Sequence, residues 1–138
     1  MRRLVLDSSV ALSWCFAEEA TPVTRAALDC IPTAEVIVPS LWYLEVANVL
    51  VISERRGRIT ATEAGEFLQM LGRLPIRVDF LGAQQALATI VDLAGRYGLT
   101  AYDAAYLELA IREGAELATL DDRLRGAAAA AGIRSFSP

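Results

Sequence analysis

Short apolar runs alternate along this chain with longer stretches of helical spacing. Leu4-Val5-Leu6 is a continuous aliphatic run that ends at Asp7-Ser8-Ser9. A run of that kind, closed by turn-forming residues, reads as a strand buried on both faces. Ser8 or Ser9 then caps a helix through Val10 to Phe16, and Thr21-Pro22 opens a second helix to about Cys30, which Pro32 stops. Val36-Ile37-Val38 is the next strand. Pro39-Ser40 starts a long helix to about Arg56, apolar almost all round and therefore read as buried. Within Leu41 to Ile52 its only polar residues are Glu45 and Asn48, three apart and so on one face.

The second half continues the alternation. Gly57 stops the long helix, and Thr60-Ala61-Thr62-Glu63 has the form of a capping box, which begins a fourth helix ending near Gly72-Arg73. Pro75 to Asp79 is a short extended piece. A fifth helix is expected from Gly82 to Tyr97 with Gly98 as its stop, and a sixth from Thr100 to about Arg112, closed by Gly114. Glu116 to Leu120 reads as a strand. Asp121-Asp122 starts a last helix that runs into Ala127 to Ala131, and Ile133 to Phe136 is an expected edge strand. Such an alternation predicts an α/β layer fold. Its form is a three-layer α/β/α sandwich around a central, mostly parallel sheet of four to five short strands. Helices outnumber strands, so some crossovers carry two. No repeat or linker interrupts residues 1–138, and the length suits one domain.

Composition narrows the chemistry. All 13 basic residues are arginine, with no lysine and no histidine. That excludes a Walker A lysine, a histidine general base, a Ser-His-Asp triad and an HExxH zinc site. It also argues against a receiver-type phosphoacceptor domain, which shares this layout but uses a lysine. The net charge of −4 and pI of about 4.8 mean that any nucleic-acid contact is local or acts through a bound cation. Mean hydropathy is +0.37, yet no apolar run reaches the roughly 18 residues of a membrane span. Met1-Arg2-Arg3 leads into only three aliphatics before Asp7, so no secretion signal is read. Cys15 and Cys30 are then expected as reduced thiols in a cytoplasmic protein.

Four of the 17 acids stand out by context. Asp7 follows the first strand, Asp121 follows a later one, Glu45 lies amid apolar helical neighbours, and Asp103 opens a helix of Ala, Tyr and Leu. In parallel sheets the carboxyl ends of the strands face the ligand crevice, so parallel neighbours would bring Asp7 and Asp121 together. Clustered carboxylates without a cation repel one another and favour protonation; a magnesium or manganese ion reverses that balance. Capping accounts for some of the same residues: Asp7 for the first helix, Asp103 in a Thr-x-x-Asp box, Asp121 or Asp122 for the last helix. Arg55, Arg56 and Arg58 are candidates for phosphate contacts, ahead of Arg2 and Arg3, although cations at a helix end also suit its dipole. Trp14 and Trp42 could stack on bases or on a partner, though their helical spacing fits core packing better. Trp14, Phe16, Trp42 and Tyr43 together exceed what a small core hides, which suggests an apolar groove for a partner's amphipathic segment.

Four stretches carry a family likeness: Leu6-Asp7-Ser8-Ser9-Val10; Pro39 to Leu50; Leu99 to Leu107, with Thr100-Ala101-Tyr102-Asp103 at its start; and Leu117 to Leu124, with Asp121-Asp122 in it. In this order and at these separations they make the chain similar to PIN domains, and more narrowly to the VapC-type ribonuclease toxins of bacterial and archaeal toxin–antitoxin pairs. The likeness implies a metal-bound acidic quartet at Asp7, Glu45, Asp103 and Asp121, with Asp121 preferred to the adjacent Asp122. It implies assisting hydroxyls at Ser9 and Thr119 and a supporting asparagine at Asn48. It further implies a Mg2+- or Mn2+-dependent endoribonuclease that cuts RNA, is held inactive by a cognate antitoxin, and forms homodimers or toxin–antitoxin hetero-oligomers. Two other functions fit the residues: a catalytically silent PIN-like module that binds RNA or protein, and another divalent-metal phosphoesterase, including a DNA-directed nuclease. Small size and the lack of a DNA-gripping insertion favour RNA.

Overall fold

The computed structural model describes residues 1–80 and 82–138, with side chains for all of these but 82 and 83. The elements in order are β1 (Arg2–Leu6), α1 (Ser8–Ser13), α2 (Pro22–Cys30), β2 (Ala34–Pro39), α3 (Leu41–Arg55), α4 (Ala61–Gly72), β3 (Ile76–Asp79), α5 (Gly82–Gln85), α6 (Leu87–Tyr97), α7 (Ala101–Glu113), β4 (Glu116–Ala118) and α8 (Asp122–Ala130), with single 3-10 turns at Ala17–Glu19 and Ile31–Thr33.

The four strands form one sheet in the order β3-β2-β1-β4, and every pairing is parallel. Parallel neighbours need a crossover between them, and helices fill each one. Leu4, Val5 and Leu6 of β1 are wholly buried, as the aliphatic run required: the central strand meets helices on both faces. Each such side chain contributes about 1.5–3 kcal/mol by leaving water. All four carboxyl ends lie along one edge of the sheet. Because β1 is central and β4 pairs directly with it, the residues after Leu6 and after Ala118 emerge side by side.

Local signals account for most of the boundaries. Thr21 caps α2 and Thr60 caps α4; in α4 the Thr60 hydroxyl accepts from the Glu63 amide at 3.1 Å while Glu63 accepts from the Thr60 amide at 3.0 Å. Gly98 and Gly114 end α6 and α7 at φ of 64° and 60°, a left-handed conformation that a Cβ disfavours.

Four expectations change. The first helix begins at Ser8 and ends at Ser13, and neither Ser8 nor Ser9 caps it; Asp7 takes the N-cap position but makes no side-chain cap bond. The fifth helix is broken at Ala86, whose backbone (φ −100°, ψ 10°) separates α5 from α6. The expected strand at Ile133 to Phe136 is reduced to one parallel bridge between Leu117 and Ser135, since β4 offers only three residues. Helix α3 is not buried all round: Trp42, Val46 and Leu50 face the core, while Tyr43, Leu44 and Val51 are exposed. It packs on α1 and α4, and these cover only one side of it.

Candidate active site

Asp7 sits where β1 ends, 6% exposed. Its Oδ2 accepts two hydroxyl hydrogen bonds, from Ser9 Oγ at 2.8 Å and from Thr119 Oγ1 at 2.7 Å. Each hydroxyl also accepts an amide from the loop after β4: Leu120 N–H reaches Ser9 Oγ and Asp121 N–H reaches Thr119 Oγ1, both at 3.0 Å. A hydroxyl has one proton. With the amides occupying their lone pairs, both hydroxyls direct that proton at Asp7. The two loops are thereby stitched together through one carboxylate oxygen.

Glu45, half-buried on α3, is held from two sides. Its Oε1 accepts from the Tyr106 hydroxyl in a short hydrogen bond and from Ser8 Oγ at 3.3 Å. Asp103 lies in the first turn of α7, where its amide donates to the capping Thr100 Oγ1 at 3.2 Å. Asp121 is the N-cap of α8 and its Oδ1 accepts from Leu124 N–H at 2.9 Å. Asp121 therefore caps a helix and faces the other acids at the same time. Asp122 turns away: it is exposed and pairs with Arg125, which separates the two adjacent aspartates.

The electrostatics join these four acids. Burial pushes Asp7 above its ordinary pKa; the Thr119 and Ser9 hydrogen bonds oppose the shift, and the charge of Asp121 adds to it. Glu45 is raised by burial and by Asp7 and Asp103, against the pull of the Tyr106 bond. Asp103 is raised by burial and by Asp121 and Asp7, while Arg123 at the start of α8 pulls the other way. Among the described residues none of the four acids is in an ion pair. Nor do three of them stand close enough, as they are, to enclose a metal ion. The donor set nonetheless suits a hard dication: every ligand offered is a carboxylate or hydroxyl oxygen, with no histidine or thiolate beside it.

The remaining candidates fall elsewhere. Asn48 is exposed, and its side chain makes no hydrogen bond among the described residues. Arg55 and Arg56 are exposed at the end of α3 without an acidic partner within 4 Å among the described residues. Arg58 is engaged: it pairs with Glu18 and Glu19 and lies over the Phe16 ring at 3.8 Å. Arg2 and Arg3 sit at the opposite end of the sheet, paired with Glu116 and Glu35. Trp42 is a core residue at 1% exposure, and half-buried Trp14 donates Nε1–H to Thr24 O at 2.8 Å. Cys15 and Cys30 are free thiols. No helix among the described residues is long and apolar enough to cross a membrane.

Three residues of the site escape the sequence reading: Ser8 is read only as a possible cap, and Arg123 and Tyr106 are given no role. Tyr106 had one usable signal: it is three residues after Asp103, on the same face of the helix.

Comparison with known proteins gives a consistent picture. The family model described as PIN domain matches residues 4–130. Ribonuclease VapC3 of Pyrobaculum aerophilum is 32% identical over 122 residues, covering 88% of this chain and 92% of that protein. Among solved structures, FitAcB from Neisseria gonorrhoeae aligns with a TM-score of 0.66 at 19% identity, covering 98% of this chain and 97% of that one. VapBC2 from Rickettsia felis, solved bound to a DNA fragment from their promoter, aligns at 0.64 and 15% identity over 86% and 87%.

Proposed function

The chain belongs to the PIN domain family, and from that premise we propose that it is a Mg2+- or Mn2+-dependent endoribonuclease, the toxin of a VapBC-type toxin–antitoxin pair. The observation that carries the proposal is the set of four mutually repelling carboxylates at the carboxyl edge of the sheet, unpaired with any cation among the described residues. A fold that spends burial on uncompensated charge does so where an external cation or substrate completes the balance.

Asp7, Glu45, Asp103 and Asp121 would hold the ion. Bound there, it supplies countercharge for a phosphodiester and lowers the pKa of a water for attack on phosphorus. The protein's own groups prepare the site. Ser9 and Thr119 fix the Asp7 carboxylate through Oδ2. Arg123 gives a positive charge beside Asp103, suited to a phosphate oxygen, and Arg55 and Arg56 are free to meet the RNA backbone further along. A groove of about 560 Å³ lined by Ser9, Leu12, Glu19, Thr21, Val49 and Leu120 adjoins the site through Ser9, which donates to Asp7. An apolar segment of the antitoxin seated there would stand between RNA and Asp7. The exposed Tyr43, Leu44 and Val51 of α3 suit a second copy of the chain, and residues 1–138 form one nuclease domain that works in the cytoplasm.

The spacing of the acids supports a second reading, a catalytically silent PIN-like binding module, because no three of them form a ready metal cage. One assay separates the two. Purified protein is incubated with total RNA in Mn2+, in EDTA, and as Asp103→Asn in Mn2+. Cleavage confined to the wild type in Mn2+, with the variant down about a hundredfold or more, supports the nuclease; equal cleavage in EDTA, or none in any arm, sinks it.

A further inference from the structure

Three of the four acids take their main hydrogen bonds on one oxygen: Asp7 at Oδ2, Glu45 at Oε1 and Asp121 at Oδ1. The Ser8 backbone adds a further hydrogen bond to Asp7, whereas Glu45 Oε2 makes none among the described residues. Asp7 takes one donor from its own neighbour Ser9 and one from Thr119 after β4, and Asp121 takes its donor from Leu124 of the helix it caps. Glu45 is different. It stands on α3, across the crevice from the strand ends, on a side chain with three free torsions, and its main donor comes from another helix.

We infer that Tyr106 is a positioning residue, which fixes Glu45 through Oε1 and so leaves Oε2 as the oxygen that would face a bound ion. The inference rests on the metal-dependent reading above. Tyr106 is wholly buried, so its hydroxyl requires an acceptor, and a phenylalanine would fill the same space without that need. The acceptor is Glu45 Oε1, and Ser8 Oγ donates to the same atom. Two donors on one oxygen fix the carboxylate plane and leave its other oxygen clear. Holding Glu45 this way removes part of the ordering cost that an unanchored glutamate would meet on binding an ion. Helix α7 thereby sets two acids with one face: it carries Asp103 itself and, one turn on, the phenol that aims Glu45.

The test is Mn2+ binding, read by the electron paramagnetic resonance signal of free Mn2+, for wild type, Tyr106→Phe, Glu45→Ala and the double variant, with circular dichroism to show that each folds. Loss of a group that orients a metal ligand weakens binding by about 10–100-fold. Tyr106→Phe is expected near tenfold, and the double variant no weaker than Glu45→Ala alone. Wild-type affinity in Tyr106→Phe overturns the inference, and so does an equal loss in the Glu45→Ala background, which would mark a general packing effect. Wild-type protein that neither takes up Mn2+ nor cleaves RNA fails the metal-dependent reading and this inference with it. Uptake and cleavage by wild type with an indifferent Tyr106→Phe fails the inference alone.

Discussion

Asp7 ends β1 and Asp79 ends β3, on the same edge of one parallel sheet, at 6% and 5% exposure. Their surroundings treat the charge in opposite ways. Asp79 receives the fork of Arg112, with Nη1 and Nη2 on its two oxygens at 3.1 and 2.7 Å, and Arg112 also holds Glu108 one turn back at 2.9 Å. The guanidinium, raised in pKa by Glu108 and Asp79, gives both of these acids a cation within the fold. Asp7 receives two hydroxyls and a backbone amide, and its charged neighbours are more acids. Hydroxyl donors orient a carboxylate but do not cancel it. Buried acids at one sheet edge can thus differ wholly in purpose, and the presence of an internal cation tells them apart.

Removing one charged group from each region is the strongest way to break this contrast. Asp7→Asn should lower RNA cleavage by about a hundredfold or more, while urea denaturation in metal-free buffer shows stability unchanged or higher, because a repelled carboxylate has been taken away. Arg112→Met should do the reverse. It leaves Asp79 and Glu108 buried without their cation, at a cost of about 3 kcal/mol, while cleavage per folded molecule persists. If both variants destabilise alike, the two clusters are of one kind.

A smaller effect sharpens the comparison through pH. Asp7, Glu45 and Asp103 are all raised in the folded chain. Between their ordinary values near 4 and their higher folded values, the folded chain binds more protons than the unfolded one. Their contribution to stability is therefore fully present below that window and is lost as pH rises through it. Thermal unfolding without metal should fall by roughly a few degrees between about pH 5 and pH 7, and Asp7→Asn should flatten the slope, as should millimolar Mn2+. Glu116, held low by Arg2, acts in the opposite sense and only in more acid solution. A melting temperature that climbs from pH 5 to pH 7 would contradict the repulsion argument.

The smallest expected effect concerns cations outside both clusters. Arg55→Ala with Arg56→Ala should weaken RNA binding a few-fold and make the salt dependence shallower, by about one unit of slope for each phosphate that an arginine no longer neutralises. The urea midpoint should stay where it is. An unchanged salt slope would remove these arginines from the RNA path.

Particular residues show how far the chain could be read without coordinates. The parallel α/β order followed from aliphatic runs ending in turn residues, and the caps at Thr21, Thr60 and Thr100 from short polar motifs, because both depend on neighbours in sequence. The acids were legible for the same reason: Asp7 interrupts an aliphatic run, and Glu45 stands out among apolar helical neighbours. The distinction between Asp121 and Asp122 was not, since it turns on which one caps α8 and which one meets Arg125. The cluster of Asp79, Glu108 and Arg112 was also hidden. Glu108 and Arg112 form an ordinary helical pair, and nothing local announces that β3 will deliver an aspartate to it.

The sequence by itself determined the elements, their order and the residues able to do chemistry, because hydrophobic period, capping and side-chain acidity are local properties of the chain. Only the tertiary structure decided which of those acids are neutralised and which are left charged. It did so by pairing β4 directly with β1, by laying α3 and α7 across the same crevice, and by sending Arg112 to Asp79 and not to Asp7. Electrostatic energy depends on distance in space, and residues 112 positions apart, as Thr119 and Asp7 are, acquire a distance only when the chain has folded.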